Sequence, residues 1–166
     1  CLIEHFFKKQ DRHVHGRVEV LKNDFDGATK RTYVLMMSSG ISDYRLYLDA
    51  DNRLEVTTLA ALDNLTLDGY AIEKICGEYN YKGVITLIRS DQQWIFEGVL
   101  HEYPTRVGEP FTWDNLPGVK IHEAVKETGP RQRTPEHYYD HALKIEHELF
   151  YNKNLSDGLT ARYWFY

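Results

Sequence analysis

Two carboxylates, Asp49 and Asp51, stand near the end of the segment Asp43–Asn52, whose sequence is DYRLYLDADN. Residues two apart along a strand point to the same side, so both side chains could face one ion. Mg²⁺ and Mn²⁺ prefer oxygen ligands and usually share them with substrate phosphates, which suits a pair of acids. The spacing predicts a divalent-metal site that receives a diphosphate; the alternative is an acidic pair that caps a turn.

The residues before the two acids alternate in the manner of a β-strand. Apolar or aromatic side chains at positions 44, 46 and 48 alternate with Arg45 and Tyr47, and this period of two predicts a strand. Ala50, between the two aspartates, is expected to point toward the packed face of the strand. Ligands of open α/β sheets bind beyond the carboxyl ends of the strands, which is where the acids would lie.

Composition limits the class of protein. The chain has 166 residues, of which 42% are hydrophobic and 27% charged, as in an ordinary globular protein. This length supports one sizeable core and a single domain by default. A net charge of −5 without a long basic run argues against a nucleic-acid partner, so a small-molecule partner is expected.

Cysteine content and hydropathy indicate the compartment. Cys1 and Cys76 are the only cysteines, too few for a disulfide framework or a zinc–thiolate site. No apolar run has the length of a membrane span, and no signal-peptide pattern is present. We therefore expect a cytoplasmic protein without a transmembrane segment. The start at Cys1 and the stop within a predicted helix suggest a segment of a longer protein.

The elements around the acids predict an α/β fold. A helix over residues 2–10, a strand over 17–21 and a helix over 25–37 precede the strand with the acids, and this β-α-β order predicts parallel pairing. Thr57 or Thr58 is expected to cap a short helix that ends at residue 65. Three strands, expected to pair antiparallel, follow over residues 69–76, 84–90 and 94–100.

The last third of the chain is predicted to change character. Residues 103–116 contain Pro104, Gly108 and Pro110 without clear periodicity, which predicts a loop over the site. Thr134 before Pro135 is a helix-start signal for a helix to about residue 151. A second helix is expected over 158–166, with little for its apolar residues to pack on. Residues 1–133 would form one domain, and 134–166 a helical segment that could begin a helical-repeat region.

Several separated blocks resemble the inverting glycosyltransferases of family 2, of the bacterial type that carries helical repeats after a GT-A catalytic domain. The blocks are FDGATKR at 25–31, DYRLYLDAD at 43–51, WIFEGVLHEYP at 94–104, GPRQRTPEHYYDHALKIEHEL at 129–149 and RYWFY at 162–166. The LDAD and HEYP blocks are the most specific. The resemblance implies a GT-A-like (Rossmann-like) mixed sheet with flanking helices. It also implies transfer of a sugar, with inversion, from a nucleoside-diphosphate sugar to an acceptor hydroxyl.

The resemblance assigns roles to the acidic blocks. It places the two aspartates beside the nucleotide and a Mg²⁺ or Mn²⁺ ion that stabilises the leaving diphosphate. Asp51 becomes the main metal ligand, and Asp49 a partner of the ribose or of the ion and its water shell. Glu102 becomes the base that takes the acceptor's proton; the alternative is a solvated strand-end residue. His101 becomes a further metal ligand or a diphosphate contact, or else a histidine satisfied at a strand end.

Basic and aromatic residues complete the implied substrate site. Lys30 or Arg31 could approach the diphosphate or nucleotide, with an exposed helix charge as the alternative. Arg131 and Arg133 could close over phosphates. Trp94 could stack on a sugar, although a tryptophan in a strand is more often part of the core. The expected donor is a UDP-sugar, and the acceptor a glycan, a lipid-linked molecule or a protein.

Other interpretations stay open. Family members begin with a nucleotide-binding strand and a DTGS-like turn, and no such turn precedes Leu2, so the nucleotide half is expected to be missing or supplied elsewhere. The chain could be a non-catalytic scaffold that binds a protein through its last helices. A metal-dependent phosphodiesterase or nucleotidyl transferase is a third possibility. His137, Asp140 and His141 share a helix face and form a weak zinc pattern, with a solvated face as the alternative.

Overall fold

The computed structural model describes residue 16 and residues 20–21, 26–108, 110–124 and 134–165. These residues form a mixed α/β fold with three α-helices and one short 3₁₀ helix, Leu59–Leu62. The helices are α1 (Gly27–Met37), α2 (Pro135–Tyr151) and α3 (Asp157–Phe165). The strands are β1 (Tyr44–Leu46), β2 (Arg53–Val56), β3 (Gly69–Cys76), β4 (Tyr79–Tyr81), β5 (Ile85–Arg89), β6 (Trp94–Glu97), β7 (Tyr103–Arg106) and β8 (Trp113–His122). The helix predicted over 2–10 and most of the strand predicted over 17–21 lie outside the described residues.

Six of the strands form one mixed sheet. Its order is β1-β5-β3-β8-β2, and β4 pairs with β3. The pairing of β3 with β8 is parallel, and the other pairings are antiparallel. Strands β6 and β7 form a separate antiparallel hairpin. The antiparallel pairing expected among the strands over 69–76, 84–90 and 94–100 therefore holds for β3 with β5, whereas β6 pairs with β7 in a separate sheet.

Helix α1 covers the hairpin and one end of the sheet. Asp26 caps the helix, since its Oδ1 accepts a hydrogen bond of 2.6 Å from the Thr29 amide. The Phe96 amide of β6 donates to Thr32 Oγ1 at 2.7 Å. Leu35 packs in a core cluster with Trp94 and Phe96. These contacts fix the rotation of α1, and with it the direction of its charged side chains.

A buried arginine joins α1 to the sheet. Arg45 is only 7% exposed, and its guanidinium donates to the carbonyls of Leu35, Arg89 and Gln92 at 2.5, 3.2 and 3.0 Å. The burial of Arg45 lowers the pKa of its guanidinium. Leu46, by contrast, is 38% exposed. The face of β1 that carries Arg45 therefore points toward α1, which the alternation in the sequence did not predict.

Two sequence-based expectations about strands are wrong. Strand β1 ends at Leu46, and a hydrogen bond of 3.0 Å from the Asn52 amide to the Asp49 carbonyl closes a turn around the acids. The same-side argument for a strand thus does not apply to Asp49 and Asp51, and Ala50 is exposed. Residues 103–116 are not a loop, because they contain β7 and the start of β8. The two prolines and the one glycine of that stretch had favoured the prediction of a loop.

The helices predicted over 25–37, from Pro135 and over 158–166 are present among the described residues, within two residues of their expected bounds. Thr134 caps α2 by accepting a hydrogen bond of 3.3 Å from the His137 amide, and Thr58 caps the 3₁₀ helix, which is shorter than predicted. The apolar residues of α3 do have packing partners, contrary to expectation, since Leu159 and Tyr163 are buried. No helix among the described residues is long and apolar enough to cross a membrane.

Candidate functional site

Three residues from separate blocks of the sequence meet at the amino-terminal half of α1. Arg31 Nη2 lies 2.7 Å from Asp49 Oδ1, and Arg31 Nε lies 4.0 Å from Glu102 Oε2. The Arg31 guanidinium also lies over the Phe96 ring, 5.7 Å from its centroid. The cluster Arg31–Asp49–Glu102 is therefore the candidate site, and it includes one residue from each of the FDGATKR, LDAD and HEYP blocks.

The direction of β1 brings Asp49 to this cluster. Arg45 and Tyr47 face α1, and Tyr47 packs edge-on against Phe96 at a centroid distance of 5.0 Å. Burial raises the pKa of the Tyr47 hydroxyl far above its usual value, and that hydroxyl donates to the Ile85 carbonyl. Asp49 follows on the same side and meets Arg31. A half-buried tyrosine thus lies close enough to sense the charges of Arg31 and Asp49.

The Glu102 carboxylate occupies a space that only a glycine leaves open. A Cβ on Gly27, the first residue of α1, would lie 1.9 Å from Glu102 Oε1. Gly27 and Arg31 are one helical turn apart and share a face, so both contribute to the seat of Glu102. The Glu102 side chain is 21% exposed. It is packed on the helix yet accessible to a ligand, which differs from the solvated strand end considered as an alternative.

Helix α3 holds the loop that carries Glu102. The Val99 amide donates to the Tyr163 hydroxyl at 2.7 Å, and Arg162 Nη2 donates to the His101 carbonyl at 3.1 Å. Arg162 also stacks over the Tyr103 ring at 4.6 Å. His101 has a φ of +54°, a conformation that costs energy in a non-glycine residue and needs support from its surroundings. The contacts from α3 supply that support on both sides of His101.

Tyr163 is the buried member of this support. It is 2% exposed, and burial raises the pKa of its hydroxyl. A Cβ on Gly98 would lie 3.6 Å from the Tyr163 hydroxyl and equally far from Glu102 Cα. Sequence reasoning assigned no role to Gly27, Arg162 or Tyr163. The RYWFY block was the available signal for the last two.

The remaining predicted metal ligands are less well defined. Asp51 is exposed in the turn after β1, and His101 is exposed in the loop before Glu102. Within the described part of the chain, no three His, Cys, Asp or Glu side chains converge as a metal site. Mg²⁺ commonly uses only one or two carboxylates and completes its shell with water and substrate phosphates. Asp49 and Asp51 are carboxylates of one turn, and either of them can serve as such a ligand.

Other predicted residues fall elsewhere. Trp94 is 1% exposed and packs edge-on against Phe111, so it belongs to the core and not to a sugar-binding surface. Lys30 is half-buried on α1. The rotation of the helix places Arg31, the other basic candidate, against Asp49. Arg131 and Arg133 lie outside the described residues.

The histidines of α2 form a close pair. The rings of His137 and His141 have centroids 3.9 Å apart. Burial, followed by the charge of His137, lowers the pKa of His141. Asp140 is exposed on the same helix, and the three residues do not form a metal-binding group in the described structure. The weak zinc pattern therefore gains no support from the geometry.

No family model matches this chain, and no curated protein matches it either. Its function is therefore inferred from the geometry of the Arg31–Asp49–Glu102 cluster and the surfaces around it.

Proposed function

We propose that this chain carries the catalytic part of an inverting, metal-assisted glycosyltransferase that resembles family 2 and has a GT-A-like fold. The observation that supports this best is the contact of one arginine, Arg31, with both Asp49 and Glu102. Three blocks that are far apart in sequence supply the residues expected to hold the donor and to activate the acceptor.

The Arg31–Asp49 pair is suited to a donor that carries a diphosphate. Both side chains are partly exposed, at 35% and 44%, and such ion pairs contribute little to stability because water competes for them. A phosphate could therefore replace the carboxylate as the partner of the guanidinium, whose planar donors suit bidentate phosphate contacts. Asp49 would then be available to the ribose or to the ion's water shell.

Glu102 is the proposed base. In the reaction, the acceptor oxygen forms a bond to the anomeric carbon while the bond from that carbon to the diphosphate breaks. The proton of the acceptor hydroxyl passes to Glu102, and the electron pair of the broken bond leaves with the nucleoside diphosphate. A positioned base of this kind contributes about 10²–10⁴-fold to the rate. The seat formed by Gly27 and the support from α3 would hold the carboxylate in place for this transfer.

A divalent ion, Mg²⁺ or Mn²⁺, is part of the proposal. Asp51 would hold it, with Asp49, two residues before it in the sequence, and His101 as further ligands. Bound there, the ion would neutralise charge on the departing diphosphate. The expected donor is a UDP-sugar and the expected compartment is the cytoplasm.

The first test is calorimetric titration of UDP with Mn²⁺ into the folded chain. Metal-dependent binding is expected, and Asp51→Ala should abolish it. Asp43→Ala is the matched control, because Asp43 is also exposed but stands at the opposite end of β1; it should bind as the unmodified chain does. Glu102→Gln should keep UDP binding, since its proposed partner is the acceptor. Failure of a well-folded chain to bind UDP would refute an autonomous UDP-dependent transferase.

A non-catalytic binding module is the second candidate. Helix α2 has no buried residue, and Tyr139, Phe150 and Tyr151 are at least 66% exposed. Exposed aromatic side chains of this kind are common at protein interfaces. In that case the chain would fold, bind no UDP in the titration, and still keep the Arg31–Asp49 pair.

A further inference from the structure

A groove lies on the side of α1 that faces away from the candidate site. It has a volume of about 600 Å³ and lies between α1, β6 and the junction of α2 with α3. Thr29, Tyr33 and Met36 line it from α1, and their spacing of four and three residues places them on one face of the helix. Arg31 is rotated by about 200° from Thr29, so it belongs to the opposite face. Glu102 does not line the groove, which is therefore a surface separate from the proposed transfer.

Helix α1 and strand β6 run in opposite directions along the groove. At the start of the helix, a Cβ on Gly27 would lie 1.9 Å from Glu102 Oε1, and a Cβ on Gly98, just after β6, would lie 3.6 Å from Cα of the same glutamate. Farther along the helix, the Phe96 amide donates to Thr32 Oγ1 at 2.7 Å. The start of α1 therefore lies beside the end of β6, and the later turns of the helix lie beside the earlier residues of the strand.

The end of the groove where α1 starts and β6 ends is acidic. Asp26 lines it from the cap of α1, and Glu97 lines it from the last position of β6. Glu148 lines the groove from α2. Burial first, and the charge of Glu148 to a smaller extent, raise the pKa of the Tyr163 hydroxyl, and that hydroxyl accepts from the Val99 amide just beyond β6. Glu148 therefore lies at the same end as the other two carboxylates.

The three carboxylates lack a cation. Within the described structure, Asp26, Glu97 and Glu148 form no ion pair, and no described Lys, Arg or His lines the groove. Their hydrogen bonds come from neutral donors such as Asn152 Nδ2, which lies 2.7 Å from Glu148 Oε2, and the Tyr103 hydroxyl, which lies 3.4 Å from Glu97 Oε2. Each carboxylate oxygen can accept more than one bond. Because like charges repel, a cation that enters this end is stabilised by all three.

The rest of the groove is largely apolar. Tyr33 and Met36 line it from the later turns of α1, and Ile95 lines it from β6. Leu155 and Leu159 add apolar surface from the α2–α3 junction. Met36 is 66% exposed, and a flexible methionine side chain adapts to the shape of a partner, as on many peptide-binding surfaces. The groove thus joins an acidic end to an apolar end, and a matching ligand carries both a cationic and an apolar group.

The length of the groove indicates a peptide. From Asp26 to Met36 the helix rises by about 15 Å, a distance that an extended peptide covers in about five residues. A small amine would meet the carboxylates but leave the apolar end in contact with water. An apolar segment without a cation would leave the carboxylates unpaired. A peptide that carries both groups, about five residues apart, uses the whole groove.

We propose that this groove is a docking surface for an extended segment of a protein partner. Lysine or arginine side chains of the segment pair with Asp26, Glu97 and Glu148, and an apolar side chain about five residues away packs between Tyr33 and Met36. This interaction is additional to the proposed transfer, because the groove and the candidate site use opposite faces of α1. Helix α1 therefore serves two surfaces, one for the donor and one for a partner protein.

The test uses fluorescence anisotropy with a labelled, capped peptide that has two lysines at one end, three serines in the middle and two leucines at the other end. Binding of this peptide or of its reversed sequence to the folded chain is expected. Glu148→Gln should weaken it by about 10-fold, as for the loss of one charge-assisted contact, while the new amide oxygen can still accept from Asn152. A peptide with glutamates in place of the lysines should not bind.

Matched controls separate the groove from general attraction. The chain has a net charge of −5, so a cationic peptide is drawn to the whole surface. Glu146→Gln removes the same charge from the same helix, but Glu146 is exposed and does not line the groove, so binding should persist. Met36→Ser should weaken binding by removing apolar contact. Val34→Ser should not, because Val34 is exposed on α1 outside the groove.

Several results would overturn the docking surface. These are no binding of either peptide by the folded chain, equal losses in Glu148→Gln and Glu146→Gln, and equal losses in Met36→Ser and Val34→Ser. Displacement of the peptide by spermine at equal concentration would assign the groove to a small cation instead. Self-association in sedimentation that Met36→Ser abolishes, without peptide binding, would assign it to a second copy of the chain. Glu148→Gln should leave the binding of UDP with Mn²⁺ unchanged, so failure of the transferase and failure of the docking surface are distinguishable.

Discussion

Removal of one hydroxyl group from α3 should loosen the loop that carries Glu102. In Tyr163→Phe the ring stays in the core, but the Val99 amide loses the acceptor that lies 2.7 Å away. Tyr163 is 2% exposed, so water has little access to replace the hydroxyl. An amide left without a partner in such a place costs about 1–3 kcal/mol. We expect the variant to lose about 1–2 kcal/mol, since the loop can relax in part.

Two measurements test this loss. For a chain of this length each kcal/mol lowers the melting temperature by about 2–4 °C, so a decrease of about 2–8 °C is expected. Hydrogen exchange at the Val99 amide should accelerate by about 5–30-fold, the factor that corresponds to 1–2 kcal/mol. Amides in β3 and β5 should change much less, because they pair within the main sheet.

A matched control isolates the effect of the hydrogen bond. Tyr79→Phe removes a hydroxyl from a side chain that is 71% exposed on β4, and exposed sites usually change stability by less than about 0.5 kcal/mol. If Val99 exchanges at the same rate in Tyr163→Phe as in the unmodified chain, α3 does not hold the loop. The account of how Glu102 is positioned would then be refuted.

Three further changes test the site and the fold. Gly27→Ala should leave the melting temperature unchanged or raise it, because alanine favours a helix over glycine by about 0.5–1 kcal/mol. The new Cβ would lie 1.9 Å from Glu102 Oε1, so the carboxylate must move and its NMR resonance should shift. An unshifted resonance would contradict the geometry. Arg31→Ala should weaken UDP binding by about 10-fold or more, because a charged hydrogen bond is lost. Lys30→Ala should leave UDP binding unchanged. Equal losses in calorimetry would mean that any positive charge on α1 serves, and not a specific contact of Arg31. Hydrogen bonds, first from the Thr112 amide and then from Gln92, lower the pKa of Asp68. Its ionised form therefore stabilises the fold above the unfolded pKa of about 3.9, and that contribution is lost as pH falls through the folded pKa. Asp68→Asn should flatten this acid dependence in urea unfolding at about pH 2–5, and an unchanged dependence would contradict the assignment.

Elements with local start and stop signals could be predicted from the sequence. Thr134 followed by Pro135 fixed the first turn of α2, and the strand predicted over 69–76 is β3. Such signals act over a few residues, so one chain is enough to detect them. The mixed α/β class follows from the same local patterns.

Strands that contain proline could not be predicted in this way. Pro104 lies in β7 opposite Phe96, in a sheet that has two strands among the described residues, so β7 is an edge strand there. Proline is tolerated at edges. Pro117 and Gly118 lie within β8, and Gly118 has a φ of +79°. The local rule that treats such residues as breakers is correct on average, but pairing with distant strands overrides it here.

The site could be predicted in part. The resemblance selected Asp49, Glu102 and a choice of Lys30 or Arg31, but the choice depends on the rotation of α1 about its axis. Packing of that helix on β6 decides the rotation, and no pattern within the helix encodes it. The strand that was expected to carry Asp49 and Asp51 ends at Leu46, and a turn begins where the longer strand was predicted.

The contacts of α3 with the loop before Glu102 explain why this last helix belongs with the candidate site. On the side of α1, Gly27 leaves space for the Glu102 carboxylate, and Arg31 Nε lies 4.0 Å from it. On the side of α3, Tyr163 binds the Val99 amide and Arg162 binds the His101 carbonyl, so both hold the backbone of the loop. Neither the contacts with α1 nor those with α3 would fix the position of the Glu102 carboxylate alone, because a loop that is held at one end can still rotate. The predicted division at residue 133 therefore separates Glu102 from half of its support, and a chain shortened to end there should keep its sheet while it loses a defined position for the proposed base.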